Sequence, residues 1–275
     1  MTPKRGVCIA KRRLITGIFA AAGAHLLPDF IGQSRAARPL ITHRTIAEGE
    51  TLGLAIDVRR LSLDPTSKGA TNFYTFPVGW QGGGVAHYHL GSEEVFVLDG
   101  DITLDGSDYY VKGSYLYRPG GIVHGHHEGS IKGSRMLIRT GREIDFNYVR
   151  EPTSPGEYVI VPSDDGRPHV LHLKSPAMMP TWIGSAADRY SRKTLSVDAK
   201  TGDFTALIEF PAAWRGRMAF EAGASWEWFI VAGQVTLDDG TVFETETYSY
   251  RPAGSGEHGF VAAAAGSQVL LWREV

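Results

Sequence analysis

The sequence predicts an all-β chain in which one unit is written twice. Three observations lead there. Collinear matches recur at an offset of 133–134 residues. Short apolar runs alternate with Gly, Asp and Pro punctuation, and no stretch beyond residue 36 keeps a 3.6-residue apolar period. Leu61-Ser62-Leu63-Asp64 recurs as Leu195-Ser196-Val197-Asp198, and Phe76-Pro77 with Trp80 recurs as Phe210-Pro211 with Trp214. Gly100–Asp105 matches Gly233–Asp238, and Tyr115–Pro119 matches Tyr248–Pro252.

Each element follows from local pattern. Glu94–Leu98, an Asp99-Gly100 turn and Asp101–Leu104 read as a hairpin-like series, repeated by Trp226–Val231, Ala232-Gly233 and Gln234–Leu237. Tyr74, Phe76 and Trp80 read as core residues. Residues 150–190, with six prolines, read as the connection plus an opening strand or two of the second half. Many short strands with regular turns imply sandwiches or barrels.

Residues 1–36 stand apart. Lys4, Arg5, Lys11, Arg12 and Arg13 precede a mildly apolar run from Leu14 to Leu27, and Ser34-Arg35-Ala36 supplies a small-x-small site. That order describes an export signal, and Arg12-Arg13 resembles a twin-arginine address. The run is too short and too rich in Gly and Ala for an anchor. The expected organisation is a signal at 1–36, a first domain at 37–150 and a second at 151–275, in the periplasm or secreted, with no membrane attachment after cleavage. Residues 1–36 carry six cations and one carboxylate; removing that surplus of five positive charges moves the whole-chain net charge from −2 to −7. No basic footprint for nucleic acid remains. Cys8 is the single cysteine, which excludes a disulfide framework and a thiolate metal site.

The segment Gly84-Val-Ala-His87-Tyr-His89-Leu-Gly-Ser-Glu93-Glu94 carries the chemistry. His87 and His89 are two apart, so on a strand they share a face. A carboxylate opens the next strand, and Arg118-Pro119-Gly120-Gly121-Ile122-Val123-His124 delivers a third imidazole after a Pro-Gly turn. Three imidazoles and one carboxylate from three strands suit a divalent first-row metal. Only one of Glu93 and Glu94 can look inward with the histidines. His126 shares the parity of His124 and is a candidate to line the pocket or bond to a ligand, whereas His127 should face away.

The spacing H-x-H-x(3)-E-x(6)-G, followed by P-G-G-x(2)-H, resembles the two motifs of the cupin superfamily. The wording HYHLGSEEVFVLDG is similar to the branch that includes anti-sigma-factor cupin domains and small dioxygenases. The resemblance implies two tandem double-stranded β-helix (jelly-roll) domains, a bicupin, with metal ligands at His87, His89, Glu93 and His124. Six residues separate Glu93 from Gly100, as the family pattern wants, which favours Glu93; Glu94 is nevertheless the position retained as Glu227, with Trp226 standing in the place of Glu93. In the second half the HxH positions fall at Glu221 and Gly223, or at Phe220 and Ala222, leaving Glu227 and His258 as the surviving candidates. One divalent ion per chain is therefore expected, Fe first, with Mn, Ni, Cu or Zn also suited to these donors. The expected partner is a small organic substrate, with a homodimer as the expected assembly. The leading functional expectation is an Fe(II) dioxygenase; a metal-dependent isomerase or lyase, and a non-catalytic metal- or small-molecule-binding sensor, are the alternatives.

Overall fold

The computed structural model describes residues 38–52 and 56–275, so the expected export signal lies outside the described residues. The chain is β throughout, with two three-residue 3-10 turns, Ile46–Glu48 and Ser175–Ala177, as its helical content among the described residues. No helix there is long and apolar enough to cross a membrane.

Two large antiparallel sheets correspond strand for strand. In one, the path runs Val170–Lys174, Ser114–Arg118, Glu93–Thr103, Ser134–Thr140, Ala70–Phe76, Asp57–Leu63, Glu50–Leu52. In the other it runs Ile41–Thr45, Thr247–Arg251, Ser225–Ala232, Ser267–Glu274, Phe204–Phe210, Tyr190–Val197, Thr181–Ile183. The outermost strands are exchanged. Ile41–Thr45, which precedes the first repeat, pairs with Thr247–Arg251, and Val170–Lys174, which precedes the second, pairs with Ser114–Arg118. The 150–190 connection carries one opening strand of the second half, as expected, and also adds strands to the first half. Tyr158–Val159 pairs with Ile122–Val123, so only Thr181–Ile183 of its strands joins the second-half sheet.

The alternation of each central strand assigns its two faces. Along Glu93–Thr103, Val95 and Val97 enter the first barrel's interior with Leu116, Met136 and Ile138, while Phe96 and Leu98 face the other way. Those outward residues join Phe73, Tyr115, Leu207, Phe229, Tyr248 and Trp272 in a core between the halves. Of the three aromatics expected in the core, Phe76 is buried in the first barrel, and Tyr74 and Trp80 pack partly buried against it.

Asp99-Gly100 is not a hairpin turn. Glu93–Thr103 is one strand with a register shift opposite Arg135/Met136, and its last residues pair with Tyr109–Val111. Gly100 (φ +75°) marks the bend, where a Cβ would lie 1.9 Å from the Gly133 carbonyl oxygen. A bulge with a positive-φ glycine bends a strand toward a second sheet without ending it. In the repeat, Gly233 makes the same bend, and Gln234–Leu237 passes into a four-stranded sheet.

Glu94 and Glu227 lie on the faces buried between halves. Glu94 accepts hydrogen bonds from the Tyr115 hydroxyl (2.6 Å), the Trp272 indole (2.9 Å) and Thr205, with the Arg167 guanidinium 3.6 Å away. Glu227 accepts from the Tyr248 hydroxyl (2.8 Å), Arg139 Nε (2.8 Å), Arg38 Nη1 (3.2 Å) and Thr71. Buried carboxylates persist only when so paired.

Candidate metal centre

His87 opens the short strand His87–Tyr88 and exchanges both backbone hydrogen bonds with His124 (2.9 and 2.8 Å). His89 lies two residues on, and the ring centroids of the three histidines are 4.6–5.1 Å apart. One ring nitrogen from each lies within 4.8 Å of the others, and all three residues are buried. Every ring is oriented by the backbone. Nδ1–H of His87 donates to the Val85 carbonyl (3.2 Å), that of His124 to the Ile122 carbonyl (3.0 Å), and that of His89 to the Asp145 carbonyl. Nδ1 so engaged leaves Nε2 as the free lone pair, the arrangement that fixes tautomer and ring plane in metal sites.

Gly125 follows His124 with φ +77°; a Cβ there would meet His87 Cε1 at 2.6 Å and Glu128 Oε1 at 2.9 Å. That backbone ends the strand, so the parity argument does not carry past His124. His126 lies in a turn and lines a neighbouring cleft, its Nε2 buried without a hydrogen-bond partner. His127 is exposed and also borders that cleft.

Glu93 faces the histidines, with Oε2 3.5 Å from His124 Nε2. The same oxygen accepts from Arg118 Nη1 (2.9 Å), and the other arms of that buried guanidinium bind Glu157 (2.6 and 2.9 Å), which also pairs with His169 (2.7 Å). Glu94 points to the opposite face, which settles the orientation of the pair.

The electrostatics suit a cation. Burial, Arg118 and the neighbouring imidazoles push His124 well below the usual histidine range, and burial lowers His87 as well, so both rings are neutral. Burial opposes the Glu93 charge, but Arg118, through its charge and its hydrogen bond, outweighs it and holds the carboxyl low. Burial of Glu157 is likewise outweighed by Arg118, which holds that carboxyl at about 2. Glu128, tucked between Gly82 and Gly125, is raised to about 7 by burial and by the charge of Glu93. Three oriented imidazoles, those of His87 and His124 held neutral, beside an ionised carboxylate fit a divalent first-row ion.

The second half fills the equivalent space with rings. Phe220, Trp226, Trp228 and Phe260 are buried there with centroids 4.9–5.5 Å apart. Trp226 takes the inward position of Glu93, whereas Glu227 occupies that of Glu94, so Glu227 is not a remnant ligand. His258 is half-buried against the Ser255 carbonyl and Asp238. Among the described residues, His87, His89 and His124 form the one group of three or more His, Cys, Asp or Glu side chains placed to hold an ion.

Sequence reading does not single out Glu128, Glu157, Asp145, Phe146 or Tyr148. Phe146 lies with its ring centroid 5.1 Å from those of both His87 and His89, and Tyr148 lies 6.3 Å from that of His87. The alternation Asp145-Phe146-Asn147-Tyr148 is the one signal that could have marked this short edge strand.

Residues 44–144 match the family model of the ChrR cupin-like domain. No curated protein sequence matches the chain. Among solved structures, a candidate dioxygenase from Nostoc punctiforme superposes with a TM-score of 0.67 at 14% identity, covering 88% of each chain. A point mutant of the oxalate decarboxylase of Bacillus subtilis superposes at 0.55 with 14% identity, over 84% of this chain and 76% of that one. The formate complex of Lactobacillus farciminis oxalate decarboxylase gives 0.58 at 11% identity, over 86% of each. At these identities the likeness shows the fold, and with the family match it supports the cupin superfamily for this chain.

Proposed function

We propose that this cupin chain is an exported, metal-dependent dioxygenase acting on a small organic substrate that chelates through oxygen. The observation that carries the reading is the cluster of three oriented imidazoles with a carboxylate beside it, present in one half and replaced by aromatic rings in the other. The candidate dioxygenase among the similar folds supports it at the level of fold.

His87, His89 and His124 would hold the ion through Nε2, with Glu93 as the fourth ligand. When bound, a divalent first-row ion, Fe(II) by preference, supplies a Lewis-acidic and redox-active centre where a 1,2- or 1,3-dioxygenated substrate and dioxygen can meet. The protein's own groups do the rest. The Val85, Ile122 and Asp145 carbonyls fix the imidazoles, and Arg118 limits the swing of Glu93. Glu128, near neutrality in its pKa, is suited to hold or release a proton beside His87.

An oxygen electrode tests the reading. Protein loaded with Fe(II) should consume dioxygen when a chelating diketone or catechol is present, and not otherwise. Turnover under anaerobic conditions with Mn, Ni or Zn, and none with Fe(II), would instead favour the lyase or isomerase reading, to which the oxalate decarboxylase folds lend weight. Export is tested separately. Residues 1–40 fused to a reporter should reach the periplasm, and Arg12→Lys with Arg13→Lys should retain the reporter in the cytoplasm.

A further inference from the structure

We propose that the substrate is an aromatic compound bearing an anionic group, its ring lying against Phe146 and Tyr148 and its anion against Arg150; this rests on the chelating-substrate reading above. Phe146 and Tyr148 are 52% and 65% exposed, yet they stack on each other with centroids 6.2 Å apart and planes 20° from parallel. Large rings left side by side in water mark a contact surface. Their backbone is pinned. The Asp145 carboxylate accepts from Leu90 N (3.0 Å) and from Asn147 Nδ2 (2.6 Å), Asn147 and Tyr148 pair with Tyr88 and His87, and Val149 N donates to the Ala86 carbonyl (2.7 Å). The ring pair is thus preorganised at the edge of the histidine cluster.

From Tyr148 the surface continues into a cleft of about 590 Å³ bounded by Val85, His126, Arg150 and Pro152. That size suits a small organic molecule. No carboxylate lines the cleft, while Arg150 is exposed and without an ion-pair partner among the described residues. An apolar, aromatic wall running from the metal centre toward an uncompensated cation fits an aryl chelator with a distal carboxylate.

Calorimetric titration of Zn(II)-loaded and metal-free protein tests this with three matched probes: pentane-2,4-dione, 1-phenylbutane-1,3-dione and the para-carboxylate of the latter. The phenyl group should tighten binding roughly three- to tenfold. The carboxylate should add roughly two- to fivefold. Phe146→Ala with Tyr148→Ala should erase the phenyl gain and leave pentane-2,4-dione unaffected; Arg150→Gln should erase the carboxylate gain alone. Equal affinity for the phenyl and methyl diketones, or gains untouched by these variants, would overturn the proposal. If metal loading strengthens no diketone while the phenyl preference persists, the chelation reading fails and the aromatic site stands. If the double variant converts a dimer to a monomer and leaves the ligand ratios unchanged, the rings serve self-association and the proposal falls.

Discussion

Glu94 and Glu227 are the same residue of the repeat, and each places its carboxylate on a hydroxyl and a nitrogen of the opposite half. Thr205 and Trp272 serve Glu94, and Thr71 and Arg139 serve Glu227, while Tyr115 and Tyr248 close the two networks from within. One position differs in kind: Arg139 stands where the repeat has Trp272. Glu227 therefore compensates two buried guanidinium groups, those of Arg38 and Arg139. Glu227→Ala should cost about 3–5 kcal/mol in urea unfolding. Glu94→Ala should cost a comparable amount, because it leaves the buried Arg167 without its carboxylate while Arg139 keeps Glu227 and Glu274. Neither change should alter metal content.

The inward carboxylate behaves differently. Glu93→Gln should weaken metal binding by roughly tenfold or more, read by competition with a chromogenic chelator, while Glu94→Gln leaves the affinity unchanged. An equal loss in both variants would contradict the alternation along Glu93–Thr103.

Glu128 gives metal-free protein a pH signature. Its folded pKa, about 7 against an ordinary 4.5, is raised, so the native state favours the protonated form. The corresponding stability is fully present below pH 4.5 and is lost as pH rises toward and through 7. Relative to Glu128→Gln, the wild type should lose at most about 3 kcal/mol across that interval in denaturation series.

Gly125 is the backbone position on which the cluster depends. Gly125→Ala adds a methyl group 2.6 Å from the His87 ring in a left-handed conformation. The variant should fold with a modest loss of stability, of order 1 kcal/mol, yet bind metal much more weakly than the wild type.

The parts of the fold that depend on period were legible. Parity along the central strands puts Glu93 and Glu94 on opposite faces, with the spacing to Gly100 favouring Glu93 as the inward one, and the offset of 133–134 residues anticipates two matching sheets. Five of the six tryptophans lie beyond residue 150, a compositional sign of the aromatic filling in the second half. The exchange of Ile41–Thr45 and Val170–Lys174 was not legible, because edge strands carry no signal of which sheet they join. Nothing in the sequence marks Arg38 and Arg167 as buried, because their partners lie 189 and 73 residues away, at Glu227 and Glu94. Gly100 looked like a hairpin turn because the same dipeptide serves both a turn and a bulge. Phe146 and Tyr148 sit at and beside a two-residue ladder, so the four-residue alternation that marks them is too brief to stand out.

The account rests on one metal centre, in the first half. The most direct measurement is elemental analysis of anaerobically purified protein, wild type beside His124→Ala and His258→Ala. One ion per chain in the wild type, none in His124→Ala and one in His258→Ala is the result expected. Two ions per chain, or loss of the ion in His258→Ala, would contradict it.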